Sequence, residues 1–241
     1  MIKPTDVAPK TATVQFDFQS WNTLLGKYVD GEGRVDYARL RATPADLATL
    51  ERLYAEISRT RPESLPTRQA REAFLIDAYN VCIWKNILDR APNFKSVNDA
   101  KLSFFVFTKF LIGGKEVSLN ALESDWIRPV FKDPRVHMAL NCASGGCPIL
   151  PAEAFTPEKV DEQLDREAKR FCNETRNVSY DKASNTVKLS HIFDWYAADF
   201  DKKPLPWINK HRAADAQIPE NAKVKFVDYD WRLNDRSLER R

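Results

Sequence analysis

Apolar and polar positions alternate along this 241-residue chain with two periods, and the switches between them divide it into helices and short strands. Trp21, Leu24, Leu25, Tyr28 and Val29 recur at helical spacing behind Ser20, which is predicted to cap that helix, and Gly31 and Gly33 mark the turn that follows. Leu47, Leu50, Leu53, Tyr54 and Ile57 trace a second helix packed along one stripe. From Arg68 to Arg90 the apolar residues leave almost no polar face, as expected of a central buried helix. Asp77 and Asn80 lie inside it, so burial obliges them to find partners, either as core struts or as parts of a site.

Phe104 to Ile112, Gly113-Gly114 and Lys115 to Leu119 read as a β-hairpin, because two consecutive glycines supply the positive φ angles of a tight turn. Ser118 then caps a helix on which Leu119, Leu122, Glu123, Trp126 and Ile127 share a face, which sets a carboxylate in an apolar stripe. That carboxylate is either the orienting partner of a histidine or one half of a salt bridge to Arg128. Val136 to Leu140 suit a strand, with His137, Ala139 and Asn141 on one side and Val136, Met138 and Leu140 on the other. Ser144-Gly145-Gly146 is expected to turn the backbone and free its N–H groups around Cys142. Further on, Thr156 and Pro157 open a helix carrying Val160, Leu164, Ala168 and Phe171, with Cys172 as core or near-surface filler. Val178 to Tyr180 and Thr186 to Leu189 form a second hairpin, Ile192 to Tyr196 is helical, Trp207 and Ile208 belong to a short amphipathic piece, and Lys223 to Trp231 is a late strand.

The hydrophobic content of 43% supports a full core, and no segregated linker suggests a second domain. Residues 16–235 are therefore expected to form one α+β domain in which a central buried helix packs on a mainly antiparallel sheet with peripheral helices. Residues 1–15 read as a disordered or expression-derived N-terminus, and 236–241 as a basic tail. A net charge of +3 with interspersed signs gives no case for nucleic acid or an anionic membrane as partner. No apolar run approaches the ~20 residues of a membrane span. Four cysteines are too few for a disulfide scaffold and leave the compartment open.

Five blocks in order carry a resemblance: Phe74-Leu-Ile-Asp-Ala-Tyr-Asn80; Val117-Ser-Leu-Asn-Ala-Leu-Glu123 with Arg128; Asp133-Pro-Arg-Val-His-Met-Ala-Leu-Asn-Cys142 with Cys147-Pro148; Leu189-Ser-His-Ile-Phe-Asp-Trp-Tyr196; and Tyr229-Asp-Trp231. From about Trp21 to Asn234 the chain resembles the bacterial family catalogued as domain of unknown function 547. The resemblance implies a cysteine-peptidase-like core of papain or transglutaminase type, and export, hence a periplasmic location. His191 stands where related sequences usually carry lysine, so no catalytic role is assigned to it.

The residues and the resemblance converge on Glu123, His137 and Cys142. A thiol needs a base to ionise near neutral pH, His137 can take its proton, and Glu123 can fix the imidazole through its other nitrogen. Asn141, Ser144 and Asn80 are the supporting or oxyanion-stabilising candidates, together with backbone N–H groups of residues 143–146. The chemistry expected is attack on an amide or thioester, in a peptide or a small molecule, followed by hydrolysis or acyl transfer. Neither cofactor nor metal is called for. One concern is geometric: five residues separate His137 from Cys142, so a continuous strand would point them to opposite faces, and the chain has to bend near Asn141.

The alternative is a non-catalytic peptide- or partner-binding domain with a Cys142–Cys147 disulfide and a groove of Trp195, Tyr196 and Trp231. A metal site of His137, Cys142 and Cys147 has the wrong spacing for close chelation and lacks a fourth ligand. The Cys-x-x-Cys spacing of thiol oxidoreductases is absent. Substrate and oligomeric state are not legible.

Overall fold

A computed structural model describes residues 16–90 and 92–238; the stretches 1–15 and 239–241, with the expectation of N-terminal disorder, lie outside the described residues. The first helix, α1 (Phe18–Tyr28), is capped by Asp17 rather than Ser20. The Asp17 carboxylate accepts from the Ser20 N–H at 3.0 Å and from its hydroxyl at 2.6 Å. A charged acceptor at a helix N-terminus gains from the macrodipole as well as from the hydrogen bond, so the residue three positions upstream takes the cap. A short α2 (Tyr37–Arg41) and α3 (Pro44–Arg59) follow.

The central helix α4 (Arg68–Leu88) starts where the Thr67 side chain accepts from the Ala70 N–H. It ends where Arg41 donates to the carbonyls of Ile87, Leu88 and Arg90 at 2.5–2.9 Å. Those are the orphan carbonyls that every helix end leaves, and a guanidinium there also suits the dipole. From Glu72 to Trp84 every side chain is buried, as the absence of a polar face requires. Trp84 packs edge-on against Trp21 at 4.9 Å, Tyr37 at 6.2 Å and Tyr28 at 6.5 Å between ring centroids, tying α1 and α2 to α4. Each such fully buried side chain contributes roughly 1.5–3 kcal/mol of hydrophobic stabilisation.

The hairpin forms as expected: β1 (Lys109–Ile112) pairs antiparallel with β2 (Lys115–Ser118) around Gly113 and Gly114, both at positive φ. The strand is shorter than its apolar run, because Ser103–Phe107 winds as a π-helical turn that buries Phe104 and leaves Phe107 exposed. Ser118 caps the next helical stretch by accepting from the Ala121 N–H. This stretch runs through α5 (Leu119–Ala121), a π-helical segment Leu122–Ile127 and α6 (Arg128–Phe131). Residues 136–140 are not a strand. Pro134–Met138 is a 3₁₀ turn whose first N–H groups are met by Asp133, which accepts from Arg135 N–H at 2.9 Å.

Helix α7 (Val160–Asn173) begins later than Thr156 suggested, since Thr156 closes a preceding turn by accepting from the N–H groups of Lys159 and Val160. Then β3 (Val178–Asp181) pairs antiparallel with β4 (Thr186–Leu189). After α8 (Ile192–Trp195) and α9 (Pro204–Lys210), β5 (Lys223–Phe226) returns parallel to β4. The class is thus α+β, but α4 is enclosed by helices, and both sheets are small and peripheral to it.

Two apolar clusters result, one around α4 and one that joins α7 to Phe193, Phe200 and the three-stranded sheet. The 3₁₀ turn lies between them: Val136 is part of the first cluster and Met138 of the second. His137 is consequently held at the junction.

Burial leaves one carboxyl on α4 out of its preferred state. Glu72 is 2% exposed, one of its oxygens has no partner, and Arg68 is only at 3.6 Å, so burial pushes its carboxyl up to about 7. An acid whose folded pKa is raised contributes fully below its unfolded value and loses that contribution as pH rises through the folded one. Glu72→Gln is therefore expected to be close to neutral near pH ~4 and increasingly stabilising as pH rises to ~8. Thermal melts across that window check it, and an advantage that does not grow with pH contradicts it.

Candidate active site

The loop after the 3₁₀ turn is built on α4. The Asn80 side chain donates to the Ala139 carbonyl at 3.1 Å and accepts from the Asn141 N–H at 3.0 Å, so a buried amide clamps the chain just before Cys142. Asn141 is itself spent within the loop. Its Oδ1 accepts from the Ala143 N–H at 2.9 Å and from Asn234 Nδ2 at 3.2 Å, and its Nδ2 donates to the Pro148 carbonyl at 2.8 Å. Ala143 sits at φ +61°, a left-handed conformation that a non-glycine residue holds only when its surroundings over-determine it. Both Asn80 and Asn141 are thus supports. Asp77, the other polar residue weighed on α4, lies apart from the loop and accepts from Trp21 Nε1 at 3.1 Å, and burial pushes its carboxyl well up.

The two glycines of the loop answer to close approach. A Cβ at Gly145 would lie 2.6 Å from the Asp230 carboxylate, and one at Gly146 2.8 Å from the Tyr229 ring. The segment 229–232 passes that near because it takes the loop's donors: Gly145 N–H donates to the Arg232 carbonyl at 2.7 Å and Gly146 N–H to the Asp230 carbonyl at 2.8 Å. The N–H groups of residues 143, 145 and 146 are therefore partnered within the protein. This corrects the expectation that they form an oxyanion cradle.

Glu123, His137 and Cys142, drawn from three separate elements, line one cavity of about 330 Å³. The aromatic side chains of Tyr196, Tyr229 and Trp231 line it beside them, together with exposed Leu102, Val106 and Trp195. The bend that the triad required is supplied by the 3₁₀ turn, which replaces the strand.

The acid that holds the imidazole is not the one expected. His137 Nε2 lies 2.7 Å from Asp199 Oδ2, whereas Nδ1 is 3.9 Å from Glu123, beyond hydrogen-bond reach. Asp199 is fixed in turn by Arg128 through two bonds of 2.7 and 3.1 Å, so Arg128 pairs with Asp199 and not with Glu123. The bond with His137, and then those from Arg128, hold Asp199 well below the usual carboxylate range. The imidazole also stacks on Tyr196 at 3.9 Å between centroids. Burial, and then the adjacent Glu123 carboxylate, push the Tyr196 hydroxyl well up. Since ionised Asp199 is acceptor-only, Nε2 is the donor in that bond, and Nδ1 is the ring nitrogen outside it.

Cys142 is half-buried and joined to buried Cys147 in a disulfide, as the alternative reading had it. Ser144 Oγ and Tyr229 OH lie 3.1 and 3.2 Å from Cys142 Sγ. Cys82 and Cys172 are free and buried in the two clusters. Among the described residues no group of three His, Cys, Asp or Glu side chains is arranged to hold a metal ion, and no helix is long and apolar enough to cross a membrane. Asp199 and Tyr229 are the site residues that sequence reasoning did not assign, and Tyr196 was assigned only to the groove of the alternative reading. Only the aromatic block ending at Tyr196 and the Tyr229-Asp-Trp231 block hinted at them.

Asn80→Ala strands a buried N–H and a buried carbonyl, each of which costs about 1–3 kcal/mol to leave unpaired. The expected loss is about 2–4 kcal/mol by urea denaturation. A loss below about 1 kcal/mol contradicts the clamp.

No curated protein and no solved structure matches the chain. The model of the family described as "Protein of unknown function, DUF547" matches residues 62–172, a span that holds α4, Glu123, His137 and the disulfide but ends before Asp199 and the aromatic wall. That match supports the resemblance to the DUF547 family drawn from the motifs, over less than half of the chain.

Proposed function

We propose that the protein is a thiol-dependent hydrolase or acyl transferase that acts on an amide or thioester through Cys142, with the Cys142–Cys147 disulfide as its resting form. The observation that carries this reading is the shared cavity: a cysteine and a buried histidine line the same space, and the histidine is anchored to Asp199 through Nε2, which leaves Nδ1 outside that bond. After reduction, His137 Nδ1 takes the Cys142 proton and the thiolate attacks the carbonyl carbon. The imidazolium then returns the proton to the departing amine or thiol, leaving a thioester on Cys142. Water or an amine, deprotonated by His137, releases the acyl group. Asp199 orients the ring and stabilises its charged form, the role first given to Glu123. Glu123 remains on the cavity wall, where its carboxylate is placed to meet a substrate N–H. The Tyr229 hydroxyl, 3.2 Å from Cys142 Sγ and supported by a hydrogen bond from Ser144, is the donor available to an oxyanion. The papain- or transglutaminase-like core implied by the resemblance is part of this reading.

A second reading keeps the disulfide closed and uses the cavity to bind a peptide. It is favoured by the exposed apolar rim of Leu102 and Trp195.

The two separate on acylation. Reduced protein treated with p-nitrophenyl acetate is expected to carry an acetyl group on Cys142, located by mass spectrometry of its peptides. Removing a general base costs about 10²–10⁴ in rate, so His137→Gln is expected to slow the burst at least about a hundredfold. No acetyl group on Cys142 after reduction, or an unchanged burst in His137→Gln, overturns the hydrolase reading.

A further inference from the structure

The surroundings of the two sulfurs are unequal, and the inequality has a direction. Both cysteines line the cavity, but Cys142 is half-buried whereas Cys147 is only 2% exposed. Cys147 Sγ has two donors within reach, the Cys142 N–H at 3.0 Å and the Tyr229 hydroxyl at 3.4 Å, and Ser144 Oγ lies beside it at 3.2 Å. Ser144 donates to Tyr229 at 3.0 Å, which leaves the phenolic hydrogen for sulfur. Arg176 places its guanidinium behind the loop and donates to the carbonyls of Gly145 and Cys147 at 3.0 and 3.1 Å, although it also pairs with Glu174. A disulfide sulfur is a weak acceptor and a thiolate a strong one, so these donors interact most strongly once charge has developed on Cys147.

The loop does not need the covalent link to keep its shape. Asn80, Asn141, Arg176 and the backbone of residues 230 and 232 all hold it through hydrogen bonds that the sulfurs do not share. A cross-link that is half-accessible on one sulfur, cradled by donors on the other and dispensable to its loop is arranged for exchange rather than for stapling.

We propose that the Cys142–Cys147 disulfide undergoes thiol–disulfide exchange with a low-molecular-weight thiol, with Cys142 as the attacked sulfur and Cys147 as the leaving group. An incoming thiolate forms a bond to Cys142 Sγ as the Cys142–Cys147 bond breaks, and the electron pair leaves on Cys147 as a thiolate. A second thiolate then attacks the external sulfur of the mixed disulfide. A small-molecule disulfide departs, and Cys142 is left as a thiolate. Two external thiols are oxidised and the protein disulfide is reduced by two electrons. The Cys-x-x-Cys spacing is not a requirement of this step, which needs access to one sulfur and stabilisation of the other. The inference stands apart from the acyl chemistry, because exchange involves neither His137 nor an acyl substrate.

Glutathione is the probe. Native wild-type protein incubated with reduced glutathione, quenched in acid and alkylated with N-ethylmaleimide is expected to show both Cys142 and Cys147 labelled without denaturant. Cys147→Ser treated with oxidised glutathione is expected to take up glutathione on Cys142 at least about tenfold faster than Cys142→Ser takes it up on Cys147. Tyr229→Phe keeps the ring that packs on Gly146 and removes only the donor. It is expected to slow reduction of the wild-type disulfide several-fold and to move its pH profile, a change that loss of packing would not produce. A disulfide that opens only in denaturant, or equal uptake by the two single-cysteine variants, overturns the proposal. A Tyr229→Phe protein reduced at the wild-type rate overturns the donor assignment. Acylation of Cys142 is read independently in Cys147→Ser, whose Cys142 is free whether or not the wild-type disulfide exchanges, so the two proposals fail separately.

Discussion

One buried contact organises the site: His137 Nε2 against Asp199 Oδ2 at 2.7 Å. His137 lies on the 3₁₀ turn between the two apolar clusters, and Asp199 follows Phe193 and Tyr196 in the second. A polar pair at such a junction is costly to bury unless each member is satisfied. Here Arg128 completes the chain by a bidentate bond to the same carboxylate, and Tyr196 covers the imidazole face. The ring is thereby fixed in position and tautomer, which is what separates a usable base from a merely buried histidine. The family-matched span supplies the histidine and the cysteines, and the chain beyond it supplies the carboxylate and most of the aromatic wall.

The cysteine loop reaches the same cavity by a different route. Its irregular backbone carries buried N–H and C=O groups that no helix or sheet can satisfy, and they are met one by one. Asn80 takes those at 139 and 141, Asn141 takes those at 143 and 148, and the strand-like passage through Arg232 takes the glycines. The central helix thus braces the loop through Asn80, and its Tyr79 also lines the cavity. A polar residue in an otherwise apolar helix stands out in sequence, but whether it is a strut or a reactant depends on what approaches it. Here what approaches is backbone.

Much of this was legible beforehand. The helix without a polar face, the Gly-Gly hairpin, the Ser118 cap and the second hairpin all followed from patterns in which local and tertiary preferences agree. The failures share a cause. At Val136–Leu140 an apolar alternation outweighed the Asp133-Pro134 pair, which is an N-cap followed by the residue best suited to a first helical turn. At Glu123 the right environment was inferred but the wrong partner, because the carboxylate that bonds His137 lies 62 residues away and carries no periodic signal. The N–H groups of Gly145 and Gly146, expected to be free, are taken for the same reason: the carbonyls that accept them, of Arg232 and Asp230, lie far downstream.

The account turns on which imidazole nitrogen of His137 carries the proton, and ¹⁵N chemical shifts report it directly. With only three histidines in the chain, His137 is assigned by comparison with His137→Gln. The expected result at neutral pH is an Nε2–H tautomer whose proton is hydrogen-bonded to Asp199, with Nδ1 unprotonated, and loss of that preference in Asp199→Asn. An Nδ1–H tautomer, or a tautomer indifferent to Asp199→Asn, contradicts the account.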